Sequence, residues 1–185
     1  MSSGIPTNDQ CLKKFTGLKT RHLYKYVIFQ MNEQNNEIIV GHRYRLKKNT
    51  ELTAEDLEII EGDDETNTSN LDKEKHTEGN ETNTSNPDEE KPTEEEMYED
   101  FLAHLPETEC RYAVYDVQFQ KKEVLSNKIV FITWSPDNAK IKAKMIYASS
   151  KNVLISSLNG VHQIIQATDM DEVSFASIEE KLQRV

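Results

Sequence analysis

Residues 65–80, ETNTSNLDKEKHTEGN, are followed at once by residues 81–96, ETNTSNPDEEKPTEEE, a tandem duplication of 16 residues. Units with hardly an aliphatic side chain cannot bury enough apolar surface to offset chain entropy, and they lack the positions through which solenoid repeats stack. The stretch from about Gly62 to Pro92 is therefore expected to be a disordered acidic insertion. Whatever folds must be built from the residues on either side, and a surface loop tolerates the insertion because closure entropy grows only logarithmically with length.

The charge follows the same division. Residues 51–100 carry 20 of the 33 acids against Lys73, Lys75 and Lys91, a net of −17, while the other 135 residues hold 19 bases and 13 acids, a net of +6. The formal −11 then describes neither part, and the expectation is a mildly basic domain interrupted by an acidic loop. The same loop accounts for a hydrophobic share of 36%. No run approaches the ~18 apolar residues of a membrane span, and MSSGIPTNDQ lacks a signal peptide's apolar stretch, so a soluble intracellular protein is expected. Cys11 and Cys110 stand far apart without CxxC or His-rich spacing, which points to reduced, half-buried side chains rather than a disulfide or structural zinc.

Before the insertion, Leu12, Phe15 and Leu18 recur at three-residue spacing behind Thr7, Asn8 and Asp9, predicting a short capped helix over residues 9–18. YKYVIFQM and EIIV, joined by NEQNN, read as a β-hairpin over residues 24–31 and 37–40. Arg43, Arg45, Lys47 and Lys48 follow as a basic cluster, and TAEDLEIIEG is expected to add one or two helical turns. After the insertion, Met97, Phe101 and Leu105 predict a helix over 94–105. RYAVYDVQFQ alternates, predicting a strand with Asp116, Gln118 and Gln120 on a solvated face. KIVFITW, residues 128–134, is apolar on both faces, as a central strand should be. Ile141, Met145, Ala148, Ile155 and Leu158 predict the core stripe of a long helix over 141–158, ended by Asn159-Gly160. Ser177-Ile178-Glu179-Glu180 fits a capping box that opens a last helix with Ile178, Leu182 and Val185 inward. Strands and helices without regular βαβ alternation indicate an α/β sandwich: one domain over residues 1–185, interrupted at about 50–93, with a mixed sheet of five to six strands between helices.

A search for catalytic motifs returns nothing: no GxGxxG, Walker loop, HExxH or GxSxG, and five scattered histidines. An enzyme, a cofactor and a metal are accordingly not expected. What stands out is Lys140, Lys142 and Lys144 at the start of the long helix, where the helix dipole disfavours cations by roughly 0.3–1 kcal/mol each. Such placement is either a tolerated solvated face or a cationic ridge, with Met145 as an adaptable apolar contact, presented to an acidic partner.

CRYAVYD (residues 110–116) and IVFITWSPDNAKIKAKMIYASSK (residues 129–151) closely resemble the actin-depolymerising factor/cofilin family. DFLAHLPE, LNGV, IQATDMDEVS and SIEEKL are similar too, as are the opening MSSG and YVIF. The resemblance implies a single ADF-homology (gelsolin-like) fold and a monomeric actin-binding protein that prefers ADP-bound subunits, binds monomers and filaments, and severs and depolymerises filaments. It places the surface shared by monomer and filament binding at Ser3, Gly4, Ile5, Lys142, Lys144 and Met145, and a filament-only surface at Lys128, Glu180, Lys181 and Arg184. Ser3 matches a serine whose phosphorylation blocks actin binding in relatives. EVLSNK leaves only Lys128 just ahead of the IVF strand, which implies weaker filament affinity or severing. Where relatives carry further bases in the long helix, Ile155 and Ser156 stand here, so phosphoinositide binding is reduced to a weak site from Lys121, Lys122, Lys142 and Lys144. The implied location is the cytoplasm and cytoskeleton, with the nucleus open. A related module acting on filament sides or on the branching complex is the alternative, and a charge-driven histone or nucleic-acid binder is disfavoured by the lack of aromatic-rich basic patches.

Overall fold

A computed structural model describes residues 4–63, 66–70 and 92–184. The chain opens with helix α1 (Asp9–Arg21), whose Asn8 cap accepts a hydrogen bond from the Gln10 amide. It continues through strands β1 (Tyr24–Met31) and β2 (Ile38–Arg45), a 3-10 turn (Asn49–Glu51), helix α2 (Ala54–Ile60) and the short strand β3 (Thr68–Asn70). From residue 92 onward come helix α3 (Glu94–Ala103), the hairpin β4 (Arg111–Lys121) and β5 (Val124–Trp134), helix α4 (Ile141–Ser157), strand β6 (Gln163–Ala167) and helix α5 (Phe175–Gln183). The sheet runs β3-β2-β1-β4-β5-β6. It is antiparallel in the centre and parallel at both edges, where β3 joins β2 and β6 joins β5, so the expected mixed sheet has six strands.

Two apolar layers enclose it. Helices α3 and α5 cover one face, packing Met97, Tyr98, Phe101, Ile178 and Leu182 on Tyr26, Tyr115, Val117, Val130 and Ile132. Helices α1 and α4 cover the other, packing Phe15, Leu18, Tyr147 and Leu154 on Val27, Phe29, Tyr112, Val114 and Phe131. Because both faces are covered, β4 has no solvated side over most of its length: Tyr112, Val114 and Asp116 are all buried, contrary to the expectation for Asp116. Cys11 and Cys110 are free and buried, and burial pushes both thiols up, Cys11 to about 12, leaving them protonated and unreactive at neutral pH.

Other boundaries differ for local reasons. Strand β2 extends through Arg43 and Arg45, so the basic cluster is partly strand, and Arg43 is buried. Strand β5 starts four residues earlier than the apolar run. Lys122 and Glu123, both at positive φ, make the two-residue turn that lets β4 and β5 pair all the way from Lys121 and Val124. Strand β6 had no separate expectation, because only Ile165 and Ala167 of QIIQA are buried. The last helix is capped by Ser174, which accepts from the Ser177 amide, rather than by Ser177; the helix therefore begins at Phe175, and Val185 lies outside the described residues.

The region expected to be insertion is folded at its start. Helix α2 docks on α1, with Ile59 against Gly17, and its C-terminal carbonyls at Ile59 and Glu61 accept from Lys14. Asp63 then ends in a buried charge cluster, 2.7 Å from Lys14 Nζ and 2.6 Å from Arg43 Nε, while the Tyr24 hydroxyl donates to it over 2.7 Å. Burial weakens a lone ammonium, and it lowers the Lys14 pKa even against the opposing pull of Asp63. Thr68–Asn70, inside the first copy of the duplication, pair with Arg43, Tyr44 and Arg45 as an edge strand. Residues 64–65 and 71–91, with the second copy's ETNTSN, lie outside the described residues.

This shifts the charge balance. Eleven of the 20 acids in residues 51–100 sit on described residues, among them Glu55 and Asp56 in the first turn of α2 and Glu94, Glu95 and Glu96 in that of α3. There they complement the helix dipoles, and Asp56 and Glu96 close capping boxes with Thr53 and Thr93. The described residues hold 19 bases and 24 acids, a net of −5, so the mildly basic domain expected from the window arithmetic is not what folds.

Candidate functional site

Helix α4 is anchored by its inward side. The Tyr147 hydroxyl accepts the Met31 amide at 2.9 Å, and the Tyr112 hydroxyl donates to the Tyr147 carbonyl. Ser150, fully buried, satisfies its hydroxyl on the Ile146 carbonyl at 2.8 Å, which lets a small polar residue sit where the helix meets the sheet. The buried stripe is thus Tyr147, Ser150, Leu154 and Leu158.

The predicted stripe has the right period but faces the other way at its N-terminal half. Ile141 is 78% exposed and Met145 67%, and Ala148 is exposed as well. At spacings of four and three they form an apolar ridge on the solvent side. Covering a large apolar side chain of this kind contributes roughly 1.5–3 kcal/mol. Lys142 is exposed, with no ion-pair partner among the described residues. Lys144 is held in place, donating to the Asp137 carbonyl at 3.1 Å with its ammonium 3.9 Å from that carboxylate. The cap position is Lys140, which offers no side-chain bond, and the first turn has no acid. The helix start therefore keeps its unsatisfied amides and positive end facing outward among three lysines.

The N-terminal arm reaches the same side of the sheet. Gly4 takes φ +67°, a turn that a side chain would strain, and is exposed, while Ile5 packs on the apolar layer that also holds Ala143 and Ile146 of α4. Pro6 and Thr7 run along Ile38, which pairs with Met31, the residue bonded to Tyr147. Gly4, Ile5, Lys142, Lys144 and Met145 are accordingly organised by one face. Ser3 lies outside the described residues.

The second set gathers on the opposite face. Lys128 sits across from Val117 in β4 and on the same side of β5 as Val130, in the layer under α5. On α5, Glu180 and Arg184 are exposed and paired one turn apart, and Lys181 donates to the Glu172 carbonyl at 3.3 Å. Lys121 and Lys122 lie at the β4–β5 turn, whereas Lys142 and Lys144 follow the far end of β5. Eleven strand residues separate them, roughly 35 Å, so the four lysines do not form one phosphoinositide site. Ile141 was not among the expected site residues. The signal that finds it is a cap position and first turn without an acid or a capping side chain, on a helix apolar on more than one side.

The model of the cofilin/tropomyosin-type actin-binding protein family matches residues 63–183. The chain is 38% identical to a cofilin of Mycosarcoma maydis over 185 residues, all of this chain and 98% of that protein. It is 33% identical to actophorin of Acanthamoeba castellanii, covering 98% of this chain and 97% of that one. Among solved structures, a Streptomyces griseoflavus cofilin is similar with a TM-score of 0.64 at 31% identity, covering 96% of each chain. Plasmodium berghei actin depolymerization factor 2 is similar with a TM-score of 0.64 at 27% identity, covering all of this chain and 96% of that one.

Proposed function

This chain belongs to the cofilin/tropomyosin-type actin-binding family, and from that premise we propose that it binds actin through the outward face of α4 and the N-terminal arm. It is an actin-binding factor that depolymerises and severs filaments, and its place is the cytoskeleton of the cytoplasm. The observation that carries the assignment of the surface is the exposure of Ile141 and Met145 beside Lys142 and Lys144, on a helix start with no acidic residue or side-chain cap. The apolar ridge supplies desolvated contact, and the lysines steer an acidic partner and pair at the rim.

Lys128, Glu180, Lys181 and Arg184 serve as a second surface used on filaments alone. Its position on the opposite face of the sheet supports this, since a filament can offer two neighbouring subunits where a monomer offers one. The preference is for ADP-bound subunits. Phosphorylation of Ser3 adds about −2 charges just ahead of Gly4 and Ile5, and repels an acidic partner there. Co-sedimentation with ADP-actin filaments, monomer binding and a severing assay test the reading. Binding to both forms that falls when Met145 or the two lysines change supports it; binding untouched by those changes rejects the surface.

A further inference from the structure

His42, Asp100 and His104 come together at the edge of the sheet where β3 meets α3, on the face that α3 and α5 cover. One donor atom from each lies within 4.8 Å of the others. We propose that these three residues form a binding site for a divalent transition metal of the zinc type.

The donor set is that of an open zinc site: two imidazoles and one carboxylate, with a fourth position for water. Imidazole-rich sites favour zinc and its neighbours over magnesium or calcium, which require oxygen ligands. The ligands stand on regular elements. Asp100 is on α3, His104 is that helix's C-cap residue four positions on, and His42 is on β2. The two imidazole rings stack, with centroids 3.5 Å apart and planes 11° off parallel.

The surroundings already orient these groups as metal ligands are oriented. The Tyr26 hydroxyl donates to one oxygen of Asp100 at 2.6 Å, and the Ser69 hydroxyl donates to the other at 3.2 Å. His104 Nδ1 lies 2.7 Å from the Asp100 carbonyl, which can only accept, so that nitrogen carries the proton. His42 Nε2 lies 2.9 Å from the Ser69 hydroxyl, whose own proton points to Asp100, so the imidazole is the donor. Each ring thus donates one N–H to a fixed acceptor, the outer-shell pattern of metal-bound histidines. The side chains of Asp100 and His104 are about one third exposed, which gives a metal a path in. Tetrahedral ligation with bonds of about 2.0–2.1 Å needs the donors to close by up to roughly 1.5 Å from their present spread and the stacked rings to turn until their lone pairs converge, a side-chain adjustment at half-exposed positions.

The position has a consequence for the chain. Ser69 belongs to β3, just before residues 71–91, and α3 begins just after them. A metal held by β2 and α3, and braced through Ser69, staples the base of the duplicated segment. A clip closing a long loop stabilises the closed form, and a ligand bound by the folded state alone raises its melting temperature.

Chelator-treated full-length protein titrated with zinc chloride, followed by calorimetry and thermal unfolding, tests the site. One equivalent should bind saturably and raise Tm. H104A and H42Q should each weaken binding by a hundredfold or more, and Y26F, which keeps the buried ring, by about 10–100-fold. Circular dichroism of each metal-free variant serves as the folding control. With cobalt(II) the wild type should show the intense visible bands of a four-coordinate site, lost in H104A. Absence of one-equivalent binding, or binding equally strong in H104A and H42Q and therefore due to other carboxylates, overturns the proposal.

Discussion

Helices α4 and α5 flank the same sheet from opposite sides and are built on opposite rules. Helix α5 looks after itself: Ser174 caps it, Lys181 stands in the last turn where the dipole favours a cation, and Glu180 pairs with Arg184 one turn on. Its large apolar side chains Ile178 and Leu182 are fully buried. Helix α4 has no side-chain cap and no acid in its first turn, puts Lys142 and Lys144 there instead, and leaves Ile141 and Met145 in water. Apart from the missing acid, which α5 lacks as well, each of these choices forgoes stability that α5 collects. The difference teaches that α4 is held by tertiary contacts through Tyr147, Ser150 and Leu154, so its start is free to be shaped for a partner.

Met145→Glu should break the contrast hardest. It places an unpaired charge in the desolvated contact and is expected to cost about 3 kcal/mol or more of actin affinity. Tm should stay unchanged, since the side chain is already 67% exposed; a large Tm drop would mean that Met145 is core. Next, replacing Lys142 and Lys144 together by alanine should weaken monomer and filament binding about tenfold and flatten its salt dependence, as loss of steering and rim pairs does. A salt slope equal to that of the wild type would remove the lysines from the interface.

Lys140→Ser asks whether α4 can be made like α5. Supplying the missing cap should stabilise the protein by about 1 kcal/mol, read as a rise in Tm. No rise would show that the helix start is already satisfied in some other way. Lys181→Ala, on the charged face, should affect filaments alone and by only about 0.2–1 kcal/mol, because exposed ion pairs contribute little. Equal losses for monomer and filament would erase the distinction between the two faces.

The smallest effect is expected from deleting residues 71–91, which removes seven acids and three lysines and leaves Asp63 and Ser69 in place. If the acidic stretch competes for the lysines of α4 or repels acidic actin, affinity rises a few-fold at low salt and not at high salt. An affinity unchanged at low salt rejects both ideas.

Much of this was legible in the residues. The strands β1, β4 and β5, the helices α1, α3 and α4, and the lysine ridge follow from apolar spacing and from charge set against a helix dipole. Asp63 shows where such reading stops. Within a run of acids it looks like one more solvated carboxylate, yet Lys14, Arg43 and Tyr24 from α1, β2 and β1 converge on it. Thr68–Asn70 have no apolar pattern, and their strand forms because β2 offers a free edge with backbone groups to pair.

By itself the sequence determined the period of each element, the family to which its motifs belong, and the duplicated segment that cannot build a core. Only the tertiary structure decided which side of each period faces inward. Period is a property of local geometry, but burial depends on what else packs there. In α4 both Ile141–Met145–Ala148 and Tyr147–Leu154–Leu158 obey helical spacing, and the sheet took the second, whose tyrosine could bond Met31 and whose Ser150 could satisfy itself. The ridge left outside is the surface assigned to actin. In the same way, composition counted 20 acids in one window, and folding placed eleven of them on elements of the domain, where helix starts and buried bases make use of their charge.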